Sequence, residues 1–537
     1  MIREPVHAGK RHAREPGDPV TAETPGGSGR GDKARREESK MNGHGKSDNL
    51  VVPGKHSNKT PDREAEGVEG RGLAKGNLRE EGEFRTQSRG DAKSSLERVR
   101  EAAERDRRQK FTALLHHVYD VDQLRAAYEG LNPKAAAGVD GETWKRYGEE
   151  LEGNLKDLSG RLRRGAYHAS PVKRVFIPKG DGGQRPIGVL ILEDKIAQRA
   201  AAAVLNAIYE PEFAGFSYGF RTGRGAHDAL DALATGILTR KVNWVLDADI
   251  RSFFDRLDRG WMVKFLEHHV GDRRVIRLVK KWLAAGVLEG DEWKAMEAGT
   301  VQGGSISPLL ANIYLHYVFD TWVKRWRKTR AKGDVIVVRF ADDFVVGFEH
   351  QAEAEQFWIE LKERFQKFGL ELHSEKTRLI EFGRFAAERR GKRGEGKPET
   401  FAFLGFTHIC GKTRGGRFTV KRKTMRKRLE AKLKAVGVEL KRRINDGIPA
   451  MGAYLRAVML GHMRYYAVPF NFDAIDRFRN RLVLLWRQVL SRRSQTARVT
   501  WERMKELIER WIPPARICHP YPDQRLSVKT QGKSRMR

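Results

Sequence analysis

The sequence predicts an α+β fold: an antiparallel sheet interleaved with helices, then an α-helical domain, behind a disordered basic N-terminal arm. Three observations predict it. Strand-like runs rich in Val and Phe, such as "VIVVRF" and "DFVVGF", lie in the middle of the chain and are broken by turn residues. From Met425 the apolar positions Leu429, Leu433, Val436, Leu440 and Ile444 follow the helical period instead, with Lys and Arg in the gaps. Residues 1–85 hold Gly, Pro, Arg, Lys, Glu and Ser with hardly an apolar cluster, too little to bury for independent folding. Met41 offers an alternative start within that arm.

Order is expected from "SSLERVREAAERDRRQK", where Ser95 caps a helix and Leu96, Val99 and Ala102 follow at helical spacing. A second helix runs through Phe111, Leu114, Leu115 and Val118, and "AAAGVDGETW" reads as a loop. "PVKRVFIPKGDGGQRPIGVLIL" is a β-hairpin turning at Gly180 to Gly183. "EDKIAQRAAAAVLNAIYEPEF" is a helix ending near Pro211, and "WVLDADI" is a strand. "TVQGGSISPLLANIYLHYVFDTWV" is a loop feeding a helix, and "VIVVRFADDFVVGF" is a strand pair. A helix over "QAEAEQFWIELKERFQKFGL" and a short strand over "FAFLGFTHI" complete the mixed region. Further helices run through "MGAYLRAVMLGHMRYYAV" and "DAIDRFRNRLVLLWRQVL". The domain plan is a disordered arm over 1–85, a helical extension over 86–157, a mixed domain over 158–410, a helical domain over 411–500 and a basic tail over 501–537.

Charge narrows the partners. The 537 residues carry 103 Lys+Arg against 70 Asp+Glu, a net charge of +33. Such an excess suits a polyanion, foremost a nucleic acid, with an anionic membrane surface as the competing reading. No apolar run approaches the roughly 18 residues of a membrane span, so no membrane partner is expected. The N-terminus lacks the apolar core of a signal peptide, and Glu4, Glu15 and Asp18 interrupt a transit-peptide pattern. The two cysteines, Cys410 and Cys518, exclude a disulfide scaffold and a four-Cys zinc site. A cytoplasmic, bacterial location is expected.

Carboxylates in apolar surroundings carry the chemistry. Asp342 and Asp343 stand side by side between two apolar strands, where unpartnered charge is costly. The strand "VLDADIRSFFD" carries Asp247, Asp249 and Asp255, and period two puts Asp247 and Asp249 on one side. A divalent metal resolves the cost, because Mg²⁺ takes hard carboxylate and phosphate oxygens. Two such ions roughly 4 Å apart activate an attacking hydroxyl and stabilise a leaving phosphate. The bland alternative is an Asp-Asp pair serving only as turn formers at a hairpin tip.

Taken in order, the boxes resemble the reverse transcriptases of group II introns. "FADD" is similar to their Tyr/Phe-x-Asp-Asp box, and "DADIRSFFD" to the preceding aspartate motif. "GTVQGGSISPLLANIYLH" closely resembles the Gly-Thr-Pro-Gln-Gly-Gly box, with Val301 where the family has Pro. "FSYGFRTGRGAHDAL" and "RVFIPKGDGGQRPIGVLILEDKIAQ" look like fingers motifs; "GLELHSEKTRLIEF" and "FLGF" look like later palm boxes. The likeness runs from about Gly138 to Phe406 and more loosely beyond. It implies a right-hand polymerase fold, with fingers and palm over 158–410 and a helical thumb/maturase domain, domain X, over 411–500.

The resemblance also implies roles. Asp249, Asp342 and Asp343 would be the catalytic ligands of two Mg²⁺ ions, with Ile250 offering a backbone carbonyl. Asp247 is a rival on local grounds, or else a solvated or hydrogen-bonded neighbour. Asp255 is structural, a helix cap. Lys179 and Arg185 would grip the triphosphate of a dNTP, Phe254 would block a ribose 2′-hydroxyl, and Gln302 would contact the incoming nucleotide. Gly303, beside Gly304, would allow close backbone approach to template and primer. Lys376 would neutralise charge near the site, and Phe403, Leu404 and Gly405 would form the primer grip. Arg464, Tyr465 and Tyr466 would bind intron RNA by stacking and phosphate contact, or the tyrosines would pack between helices. The runs "KRKTMRKR" and "RRGKRGEGK" would contact RNA backbone or be solvated faces.

The implied function is RNA-directed DNA synthesis on an RNA template and DNA primer, joined to intron RNA binding that assists splicing and mobility. Cys518 and His519 lack the partners of a metal site, so no His-Asn-His endonuclease is expected. The alternatives are an RNA-binding splicing cofactor that no longer polymerises, and a retron or defence-type reverse transcriptase.

Overall fold

The computed structural model describes residues 87–178, 184–289, 292–294, 299–300, 303–493 and 499–525. The arm over 1–85, the turn Gly180–Gly183, Lys179, Val301 and Gln302 lie outside the described residues. The strands are β1 Val172–Pro178, β2 Gln184–Val189, β3 Trp244–Asp249, β4 Val287–Glu289, β5 Glu292–Lys294, β6 Val335–Phe340, β7 Asp343–Phe348, β8 Arg378–Glu381, β9 Phe401–Phe403, β10 Phe406–Lys412 and β11 Phe418–Thr424. They form three sheets, in the orders β2-β1-β4-β5, β6-β7-β3-β8 and β11-β10-β9.

The β6-β7-β3-β8 sheet is antiparallel throughout and is covered on both faces. Leu246, Ala248, Phe344, Val346 and Phe348 pack on one side with the helices Ser307–Leu315 and Gln351–Gln366. Val245, Val338, Val345 and Ile380 pack on the other with the helix Ala226–Thr239 and the C-terminal helices. Burial on both faces is why these strands read as nearly continuous apolar runs rather than alternating ones. Between Ser307–Leu315 and the helix Thr321–Thr329, residues His316–Asp320 form a π-helical turn.

The β1–β2 hairpin and the helices Leu192–Tyr209, Gln351–Gln366, Arg426–Arg442, Ile448–Tyr466 and Phe472–Leu490 fall where the sequence put them. Other expectations need correction. Ser95 is no cap: it lies inside a helix running Gln87–Arg105, with its Oγ 3.4 Å from His117 Nδ1. The second helix is only Leu115–Tyr119, and Phe111 instead bridges Val270. That helix starts where the Asp272 carboxylate accepts the N–H groups of Leu114 and Leu115, at 2.9 and 3.0 Å. A cap supplied from so far along the chain leaves no local signal. "FAFLGFTHI" is two strands, because Leu404 and Gly405 both take positive φ, 47° and 83°, and turn the chain between β9 and β10.

Two of the expected domain boundaries cut elements. Position 157/158 falls inside the helix Leu151–Arg164, and 410/411 inside β10, which pairs with β11 along its length. Residues 501–525 are also more than a basic tail. A helix over Trp501–Trp511 buries Met504 and Leu507, and Trp511 packs against Gly452, where a Cβ would lie 2.4 Å from the indole. The chain then returns to the helix Ala226–Thr239, where Arg525 pairs with Asp228 at 2.8 Å and Asp231 at 3.1 Å. Among the described residues no helix is long and apolar enough to cross a membrane.

Candidate active site

Strand register brings three acids together. Asp249 ends β3 directly opposite Asp343, which opens β7. Phe340 pairs with Asp343 across β6 and β7, so Ala341 and Asp342 form a two-residue turn. Carboxylate oxygens of Asp249, Asp342 and Asp343 lie within 4.8 Å of one another, and all three residues are half-buried. Three hard oxygen donors this close suit a divalent cation such as Mg²⁺. Without a cation, like charges at this separation oppose one another. Lys376 supplies one counter-charge, its Nζ 3.0 Å from Asp249 Oδ2.

The backbone around Asp249 is tied down. Its carbonyl accepts the His373 N–H at 2.8 Å, and Arg251 N–H donates to the Glu371 carbonyl at 2.8 Å. Ile250, between them, is buried and bridged to Leu372. Asp247 does not join the cluster. Burial pushes its carboxyl up to about 6, against the opposing pull of Arg378, 3.8 Å away, and of the Ala402 N–H. It is the hydrogen-bonded neighbour, linking β3 to β8 and β9. Asp255 does not cap: it lies within the four-residue helix Phe253–Arg256, whose N-cap position is Ser252 at φ 47°.

The other candidates are spread around this cluster. Phe254 is half-buried with its ring edge-on to Phe253, and its carbonyl accepts Thr300 N–H at 2.8 Å. Gly303 takes φ 120° and meets β2: a Cβ there would lie 2.4 Å from the Gly188 carbonyl oxygen. Arg185 is half-buried on β2 opposite Ile177. Lys179 and Gln302 are outside the described residues. Phe403, Leu404 and Gly405 are buried, and the carbonyls of Leu404 and Gly405 accept the Tyr465 hydroxyl at 2.9 Å and the Met425 N–H at 3.1 Å.

The Arg464–Tyr466 segment needs correction. Tyr466 is 4% exposed and packs against Phe406 and His462, so its ring is not available to stack on a base. Tyr465 donates its hydroxyl to the Leu404 carbonyl at 2.9 Å. Both tyrosines thus hold the β9–β10 turn against the helix Ile448–Tyr466. Arg464 is exposed, and its carbonyl accepts His519 Nε2–H at 2.7 Å. The basic runs are partly committed too: Arg422 is buried against Asp231 at 2.6 Å, and Arg393 pairs with Glu381 and Glu395.

Sequence reasoning passed over Arg339, which immediately precedes the "FADD" box. It is fully buried and binds both carboxylate oxygens of Asp320, with Nε 2.8 Å from Oδ1 and Nη2 2.6 Å from Oδ2. The available signal was period two: Val335, Val337 and Arg339 share a face, so a charge falls on an apolar side.

Residues 177–408 match the family model described as reverse transcriptase (RNA-dependent DNA polymerase). The group II intron-encoded protein LtrA of Lactococcus lactis subsp. cremoris is 33% identical over 225 residues, 41% of this chain and 37% of that protein. Protein YkfC of Escherichia coli (strain K12) is 33% identical over 248 residues, 40% of this chain and 65% of that protein. A 91 kDa protein in the cob intron of Schizosaccharomyces pombe is 38% identical over 155 residues, 29% of this chain and 19% of that protein. The chain therefore spans less than two thirds of the length of each of these relatives.

Proposed function

We propose that the chain, whose residues 177–408 match the reverse transcriptase family, is of the group II intron-encoded kind: an RNA-directed DNA polymerase that also binds intron RNA to assist splicing and mobility. One observation supports the reading above the others: Asp249, Asp342 and Asp343 converge on adjacent strands within the matched segment. In this reading the β6-β7-β3-β8 sheet is the palm, the β1–β2 hairpin belongs to the fingers, and the helices from Arg426 to Leu490 form the thumb and maturase region. A bacterial cytoplasmic location goes with it, by likeness to the Lactococcus protein.

The three aspartates would hold two Mg²⁺ ions, with the Ile250 carbonyl as a further donor. A divalent metal held there would supply the Lewis-acid charge that in-line attack of a primer 3′-hydroxyl on the α-phosphate of a dNTP, with pyrophosphate leaving, requires. The protein supplies position and charge, which carry most of the acceleration in such a transfer. Lys179 and Arg185 hold the triphosphate, Phe254 lies against the ribose, and Gln302 and Gly303 approach the nucleotide. The backbone of the Leu404–Gly405 turn meets the primer, and Arg464 contributes to the RNA surface.

The test is Asp342→Ala on a primed RNA template. The expected outcome is loss of dNTP incorporation with RNA affinity within about twofold of wild type, since a carboxylate is not itself a phosphate-binding group. Equal loss of incorporation and RNA binding would remove Asp342 from the metal site. A wild type that binds intron RNA and aids splicing without incorporating dNTPs would favour the non-polymerising splicing cofactor.

A further inference from the structure

We propose that Arg339, clamped by Asp320 and Asn312, is a positioning residue that fixes the Ala341–Asp342 turn and so sets the geometry of the carboxylate cluster. The inference rests on the polymerase reading above and adds a device to it.

The turn needs such a device. Ala341 sits at φ 56°, the left-handed region that disfavours any residue with a Cβ. Conformations of this kind persist only where the surroundings over-determine them. Arg339 supplies the constraint. Its Nη1 donates to the Ala341 carbonyl at 3.0 Å and to Asn312 Oδ1 at 3.1 Å, while Nε and Nη2 engage Asp320. Four named bonds thus fix a planar fork that has no freedom left to follow a shifting turn.

The anchors come from separate parts of the chain. Asn312 lies on the helix Ser307–Leu315, and its Nδ2 donates to the Gly219 carbonyl at 2.7 Å. Asp320 ends the π-helical turn, a geometry rare in proteins and concentrated at functional positions. Both backbone groups of Arg339 bond the segment Phe216–Tyr218, its N–H to the Phe216 carbonyl at 2.9 Å and its carbonyl to Tyr218 N–H at 2.8 Å. Gly219 closes the cage: a Cβ there would stand 2.3 Å from the Ala341 nitrogen. The turn carrying Asp342 is therefore pressed from one side and held by the guanidinium from the other.

A purely structural role is the competing explanation, and it predicts something different. Arg339 and Asp320 are both 0% exposed, and a buried ion pair can be replaced by well-packed apolar residues without loss of stability. Such a replacement would leave the Ala341 carbonyl unheld. Stability and cluster geometry should then come apart.

Two full-length variants test this: Asn312→Ala, which spares the ion pair, and the double variant Arg339→Met with Asp320→Leu. The readouts are Mn²⁺ binding by electron paramagnetic resonance, the Mg²⁺ concentration for half-maximal dNTP incorporation, and thermal unfolding. Mn²⁺ affinity is expected to weaken, and half-saturating Mg²⁺ to rise, by at least about tenfold in both variants, because loss of a group that orients metal ligands costs about 10- to 100-fold in metal affinity. The double variant is expected to melt close to wild type and still show the metal defect, so the result stands even if Asn312→Ala folds poorly. Wild-type metal affinity and turnover in a folded variant would overturn the inference and leave the polymerase reading intact. A wild type that neither binds Mn²⁺ in an Asp342-dependent way nor incorporates dNTPs would overturn the polymerase reading and this inference with it.

Discussion

Lys376 places an ammonium against the carboxylate cluster, with Nζ 3.0 Å from Asp249 Oδ2. Its side chain is 60% exposed, so the pair adds little to folding, less than about 1 kcal/mol. Its effect falls on the metal instead, because the ammonium occupies one face of a carboxylate that a cation would claim. Lys376→Met is therefore expected to lower the Mg²⁺ concentration for half-maximal incorporation while leaving thermal stability nearly unchanged. A Mg²⁺ titration of dNTP incorporation beside a melting curve checks both, and a rise in half-saturating Mg²⁺ would show that the lysine assists the metal rather than competing with it. At this scale the sequence was most legible where charge was out of place. Adjacent aspartates between apolar strands pointed to the cluster, and the same logic applied to Arg339 would have found its anchor. Tyr466 was not legible, because an aromatic beside an arginine reads alike whether it faces RNA or packs on Phe406.

Asp272 shows how elements here depend on distant residues. It caps its own helix, Arg273–Ala284, by accepting Arg274 N–H at 3.0 Å, and it starts the helix Leu115–Tyr119 by accepting the N–H groups of Leu114 and Leu115. Burial alone would raise its pKa, but the Arg274 side chain and the three N–H groups outweigh burial and hold the carboxyl well below the usual range. A carboxyl depressed in the folded state stabilises the protein above its unfolded value, about 4, and loses that contribution as pH falls below it. Asp272→Ala is expected to cost about 2–4 kcal/mol near neutral pH, since it strips caps from two helices and strands buried N–H groups. Urea unfolding at pH 7 and pH 3 checks this: the gap between variant and wild type should narrow at the lower pH, and a constant gap would contradict the charge-based account. Strong apolar periodicity made the long helices and the central strands legible. The short helix at Leu115 was not, because its cap is supplied from Asp272, and the β9–β10 turn was not, because Leu404 in a left-handed conformation has no propensity signal.

At the scale of the whole molecule, the positive charge of the described residues divides into two populations. One is structural: Arg339, Arg422 and Arg221 are buried and matched by Asp320, Asp231 and Glu210. These cannot meet a phosphate, so the net charge of +33 overstates the electrostatic grip only if the partnered acids are ignored as well. The other population is exposed, and it includes Arg414 and Arg417 between β10 and β11 and Lys427 and Arg428 at the start of the helix Arg426–Arg442. Gly405 lies close to Arg428, whose Nη1 would stand 3.4 Å from a Cβ there, so the strip of Lys427 and Arg428 borders the turn proposed to grip the primer, while Arg414 and Arg417 lie at the other end of the β10–β11 ladder. Each phosphate neutralised on single-stranded RNA releases about 0.7 of a counterion, so log K falls linearly with log salt. If these four exposed charges all bind RNA backbone, the slope is about −3 and affinity should drop roughly 50-fold between 50 and 200 mM salt. The double variant Lys427→Ala with Arg428→Ala should weaken binding evenly across RNA sequences and make the slope shallower by about 1–2. Filter binding or fluorescence anisotropy over a salt series measures this directly. A slope unchanged in the variant would move the RNA surface away from this strip, and a wild-type slope near zero would mean that the exposed charge is not what holds the nucleic acid.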